Sequence, residues 1–146
     1  MTDEELKIKV NDYFQAITYN MPQFSKVDSY LTAFNHPLGT IDYWIERKVR
    51  NNKFTTYPDA VVDYQKWDAL LTLESLTQIN SLIAYGWSCG TWGFLQPSRV
   101  KLFVREAMTP RMTSVSLNKG VTREVVRIDN SEFRIIEYGN RNLSAV

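Results

Sequence analysis

The chain is predicted to be α+β: about four N-terminal helices, the longest near residues 58–85, packed on a C-terminal antiparallel meander sheet of three to four strands. Two observations carry this prediction. Apolar residues recur at helical spacing through the first 85 residues, and after Pro97 the period becomes two, punctuated by Gly and Pro. The 146 residues, 44% of them hydrophobic, suit a single domain with a helical part over 1–85, a sheet over 98–139 and a C-terminal tail over 140–146.

Thr2 and Glu5 are spaced as a capping box, and Leu6, Val10, Phe14 and Ile17 continue as an apolar stripe to about Tyr19, which predicts the first helix. Pro22 ends it, because a proline disfavours helical geometry in the residue before it. Ser25 and Asp28 repeat the capping spacing ahead of Val27, Tyr30, Leu31 and Phe34, predicting a short second helix that Asn35-His36-Pro37 closes. Thr40 caps an expected third helix carrying Ile41, Trp44, Ile45 and Val49 on one side, with Arg47, Lys48 and Arg50 in its last turn, where cations suit the helix dipole. Thr56-Tyr57-Pro58-Asp59 reads as a strong helix start, and Val62, Ala69, Leu70, Leu73, Leu76, Ile79, Leu82 and Ile83 extend a core-facing stripe to about Tyr85.

Gly86 to Phe94 holds three glycines and three large aromatics and is expected to be an ordered loop. Strands are then expected from Val100 to Arg105, Met112 to Leu117, Val121 to Ile128 and Glu132 to Tyr138. Asn118-Lys119-Gly120 and Asp129-Asn130-Ser131 are the expected hairpin turns.

The inventory of reactive groups is short, with one His (His36) and one Cys (Cys89). Gly86-Trp87-Ser88-Cys89-Gly90 matches the G-x-S-x-G turn that exposes a nucleophilic serine. That turn needs a strand before it, a helix after it and a later histidine, none of which is expected here. Cys89 with His36 supplies too few ligands for zinc, and Asp59 and Asp63 read as acidic residues in the first turns of a helix. No catalytic residue, metal or cofactor is therefore expected. An acidic N-terminus and the lack of a long apolar run point to a chain without a signal peptide or a membrane span, and a lone cysteine fits a reducing cytoplasm.

Net charge is +1, unevenly placed: residues 1–98 carry 8 basic and 11 acidic side chains, and residues 99–146 carry 9 and 5. If Val100, Leu102 and Val104 face the core, Lys101, Phe103 and Arg105 point outward, and the same alternation brings Arg123, Arg127 and Arg134 to that face. Such a row could grip phosphates or a partner's carboxylates. A second cluster, Arg47, Lys48, Arg50 and Lys53, lies among Tyr43, Trp44, Phe54 and Tyr57, a mixture able to hold single-stranded nucleic acid.

The function expected from these features is non-enzymatic: a structural or assembly subunit, cytoplasmic or in a virion or phage particle, that oligomerises or docks other subunits, its polar tail held by a neighbour. Two alternatives stand beside it. One is a nucleic-acid-binding or packaging-associated protein using the basic sheet face; the other is a small hydrolase using carboxylates or Cys89. No small-molecule substrate and no membrane partner are expected.

Overall fold

The computed structural model describes residues 1–22, 27–37, 39–108 and 123–136. The described residues form two helices and nine strands. A six-stranded mixed sheet has the order β1-β2-β3-β5-β6-β9, formed by Ala16–Asn20, Ser29–His36, Gly39–Val49, Asn80–Gly86, Trp92–Leu95 and Arg134–Ile136. A three-stranded sheet, order β4-β8-β7, is formed by Asp59–Asp63, Arg123–Asp129 and Phe103–Met108. Helix α1 (Asp3–Phe14) lies on one face of the large sheet. Helix α2 (Tyr64–Thr77) lies on the other face and also meets β4 and β8 of the small sheet.

The expectation of helices first and a meander afterwards is not met. The first helix is present, and its capping box is made: the Thr2 hydroxyl accepts from the Glu5 N–H at 3.1 Å and the Glu5 carboxylate accepts from the Thr2 N–H at 3.2 Å. It ends at Phe14, where Gln15 turns left-handed, and Ile17 and Tyr19 belong to β1. The second and third expected helices are β2 and β3. Their Tyr, Ile, Trp, Thr and Val residues favour a pleated surface. Because α1 covers one face of β3 and α2 the other, apolar residues sit on both faces and imitate helical spacing.

The expected long helix is three elements. Residues 59–63 are strand β4, and the true cap is Asp63, whose side chain accepts from the Gln65 N–H at 2.9 Å. The helix stops at a left-handed Gln78. The run from Ser81 to Gly86 is buried throughout, as befits a strand in the middle of a sheet, and it pairs parallel to β3 from Tyr43↔Asn80 to Val49↔Gly86.

In the expected loop, Trp92–Leu95 is strand β6, antiparallel to β5. Gly93 permits its pairing with β9, since a Cβ there would lie 2.7 Å from the Arg134 carbonyl oxygen. Asp129-Asn130-Ser131 is no hairpin turn: it carries the chain from the small sheet to the edge of the large one, so β8 and β9 are not neighbours. The expected strand over 112–117, the turn at 118–120 and the tail lie outside the described residues.

Two clusters fill the core. Leu6 and Val10 of α1 pack with Leu31, Ile45, Leu82 and Trp92 beneath them. On the opposite face, Trp67 and Leu70 of α2 join Ile83, Val126 and Ile128, and Trp87 is ringed by Tyr85, Phe54 and Phe133 at centroid distances of 4.8, 4.9 and 5.4 Å. Glu74 of α2 ties helix to sheet, accepting from Ser81 Oγ at 2.9 Å and Gln96 Nε2 at 2.6 Å.

Candidate functional site

Alternation along β3 sorts its side chains onto two faces. Tyr43, Ile45 and Arg47 face α1, where Arg47 reaches Asp3 at 3.1 Å and donates to Ser29 Oγ at 3.1 Å. Trp44, Glu46, Lys48 and, just beyond the strand, Arg50 continue along the α2 face. The register Ser29↔Ile45 sets Asp28 opposite Glu46, and the Asp28 N–H donates to Glu46 Oε2 at 3.3 Å. From the first turn of α2, Lys66 Nζ lies 3.3 Å from Asp28 Oδ1 and 3.8 Å from Glu46 Oε1. Two carboxylates and two lysines therefore share one patch.

Glu46 is 6% exposed, among the few buried polar side chains. Burial, with the Asp28 carboxylate beside it, raises its pKa to about 8 against the partial opposition of Lys66. Lys48 is pushed down, first by burial and then by the Arg50 charge, while Glu46, Asp63 and Asp28 pull the other way. A buried carboxyl held against its own ionisation, next to a second carboxylate, is a place where cationic charge is wanted. Lys66 supplies part of it. An oxygen-only donor pair suits a hard divalent cation such as Mg²⁺, which commonly takes one or two carboxylates and completes its shell with water and phosphate. The donor set thus fits such an ion. Among the described residues there is no group of three or more potential metal ligands, so substrate and water would complete the shell.

Of the basic residues singled out in the sequence, Lys48 lies in this patch. Arg50 is tied to Tyr85 Oη at 3.0 Å and the Val61 carbonyl oxygen at 3.2 Å, and Lys53 is exposed. The sheet arginines are not brought into one row. Phe103 and Arg105 face α2, Phe103 meeting Trp67 and Arg105 lying over the Tyr64 ring at 3.7 Å while pairing with Glu124. Arg127 is on the outer face, held by Asp59 at 3.1 Å and Glu106 at 2.6 Å. Exposed Arg134 is in the other sheet, and Lys101 and Arg123 are exposed at the ends of the small one. The register of β7 is thus the reverse of that expected: Val104, opposite Arg127, points outward and is 58% exposed.

Cys89 and His36 lie beyond opposite ends of the parallel β3–β5 pair, and Ser88 sits in a short 3-10 turn rather than a strand-to-helix elbow. Asp59 and Asp63 are engaged with Arg127 and the α2 cap. Sequence reasoning missed Asp28, Glu46 and Lys66. The available signal was Glu46-Arg47-Lys48: two residues apart is one face of a strand, whereas on the helix expected there the pair would diverge.

No protein-family model and no curated protein matches the sequence. Among solved structures, the fold resembles Hjc from Archaeoglobus fulgidus, a Holliday junction resolvase from an archaeal hyperthermophile. The TM-score is 0.55 at 11% identity, over 94% of this chain and 92% of that one. The likeness in fold to a Holliday junction resolvase, an enzyme, overturns the expectation of a non-enzymatic structural or assembly subunit, and with it the virion or phage-particle reading, which rested on small size and the scarcity of catalytic groups. Among the described residues, no helix is long and apolar enough to cross a membrane.

Proposed function

We propose that the chain hydrolyses phosphodiester bonds in nucleic acid, at a site built by Asp28, Glu46 and Lys48. The observation that carries this reading is the buried Glu46 carboxyl in contact with the Asp28 backbone, with Lys48 two residues further along the same strand face. It gains support from the likeness in fold to a Holliday junction resolvase.

Asp28 and Glu46 would hold a divalent cation, which supplies Lewis-acid polarisation of a phosphoryl oxygen when bound. Glu46 becomes available to it by shedding the proton that burial favours. Lys48, on a rigid central strand, sets an ammonium beside the phosphate to offset charge that develops on its oxygens in the transition state. Exposed Lys53, three residues along the chain from Arg50, adds positive charge beyond the end of β3 that would attract the phosphate backbone, an attraction that weakens as salt rises. Arg105 and Arg127 already have carboxylate partners and contribute less.

The test is cleavage of labelled duplex, flapped and four-way-junction DNA with Mg²⁺ or Mn²⁺. Activity is expected in the native protein and a loss of at least about 100-fold in Glu46→Gln and Asp28→Asn, the scale typical for removal of an essential charged group. Absence of metal-dependent cleavage on every substrate, or cleavage undiminished in both variants, refutes the proposal.

A further inference from the structure

The face that carries the carboxylates continues away from α2 as an aromatic row. Tyr19 of β1 pairs with Tyr30 of β2, and Tyr30 with Trp44 of β3, so the three side chains stand on one face across three adjacent strands. Glu46 follows Trp44 by two residues, a strand rise of about 7 Å, and Asp28 stands the same distance from Tyr30. The row is thus a direct continuation of the site.

Its members are braced rather than loose. Tyr30 meets Trp44 edge to face at 4.9 Å, and Trp44 Nε1 donates to Thr77 Oγ1 at the end of α2 at 3.0 Å. Tyr19 is 51% exposed, and Ile17, one strand repeat away on the same face, is 49% exposed. The charge pattern divides the surface. Lys48 and Lys66 stand at the carboxylate end, whereas the row itself carries no cation, and Asp42 accepts the Tyr30 hydroxyl. Phosphates are drawn to the lysines of the first part, and the second offers ring faces on which bases can stack.

We propose that Tyr19, Tyr30 and Trp44 form a stacking shelf for the bases of an unpaired strand leaving the carboxylate site, so that the preferred substrate is nucleic acid with a single-stranded segment next to the bond to be cut. This rests on the nuclease reading above. Every base presents a π-face, so the shelf selects strand state rather than sequence. Fixed rings lose little freedom on binding.

The experiment measures binding by fluorescence anisotropy in EDTA, where no cleavage intervenes, with a blunt duplex and the same duplex bearing a single-stranded flap. The native protein is expected to prefer the flap and to quench a 2-aminopurine placed in it. Tyr19→Ala and Tyr30→Leu should each weaken flap binding by about 5- to 100-fold, leave duplex binding unchanged and relieve the quenching, whereas Tyr19→Phe should retain all three properties. Circular dichroism establishes that each variant is folded; Tyr19, half out in solvent, keeps the test sound should Tyr30→Leu unfold. No flap preference in the native protein, or equal losses on both substrates, overturns the shelf. A protein that shows the flap preference yet never cuts in Mg²⁺ leaves the shelf standing and removes only the nuclease reading.

Discussion

Replacing Glu46 by Gln should stabilise the metal-free protein at alkaline pH. The carboxyl is raised from 4.5 to about 8, first by burial and then by Asp28. Its protonated form is therefore favoured in the folded state, so the stability it lends is fully present below about pH 4.5 and is lost as pH rises through about 8. At about 1.36 kcal/mol per pH unit, that interval amounts to about 5 kcal/mol at most, a large share of a domain's ordinary stability. Glutamine keeps the shape and the acceptor for the Asp28 N–H without a charge to desolvate. Urea unfolding of both proteins in EDTA from pH 5 to pH 9 measures the difference, in which contributions from distant titrating groups cancel. The two should be close at pH 5, and the variant should lead by a few kcal/mol at pH 9. Mg²⁺ added at pH 8 should stabilise the native protein and leave the variant nearly unmoved. Parallel profiles for the two proteins would refute the reasoning.

Lys66→Met removes an ammonium 3.3 and 3.8 Å from the two carboxylates, and should tighten Mg²⁺ or Mn²⁺ binding by roughly 10- to 30-fold in calorimetry, the effect of one unit charge on a divalent ion about 4–6 Å away under near-aqueous screening. Thr2→Ala breaks the capping box of α1 and should lower stability by about 1 kcal/mol in urea titration. Leu70→Ala, at a fully buried position between α2 and the two sheets, should cost about 2–5 kcal/mol by the same measurement. Gly93→Ala would force a methyl against the Arg134 carbonyl, and should raise hydrogen exchange along Trp92–Leu95 as β9 is displaced.

How much of this was legible in the chain differs from element to element. Thr2 and Glu5 announced α1 because a capping box is a local device whose partners lie three residues apart. Strands β3 and β5 were hidden because they lie between helices: burial on both faces erases the alternation by which a strand is recognised, and β5 prolongs the apolar stripe of α2. Strand β2 does alternate, with Ser29, Leu31 and Ala33 buried, but its Val27, Tyr30, Leu31 and Phe34 also fall at helical spacing. Tyr, Trp, Ile and Thr in 40–49 spoke for a strand by composition, yet their accidental three- and four-residue spacing spoke for a helix. The candidate site went unseen for the same reason. Glu46 and Lys48 are on one face only if that segment is extended, and Asp28 meets them only through the β2–β3 register, a non-local fact. The outward valine at position 104 shows the converse: an apolar residue in a three-stranded sheet need not face the core when the partner strand's Val126 and Ile128 already fill it.

Asp63 is both the last residue of β4 and the cap of α2, with no intervening loop. Strand and helix are therefore one stiff piece, and Lys66 stands three residues along it, in ionic contact with carboxylates that belong to the other sheet. A tilt of the small sheet cannot be absorbed by slack chain. The placement of the ammonium beside Asp28 and Glu46 is thus set by the seating of the small sheet as well as by that of the helix.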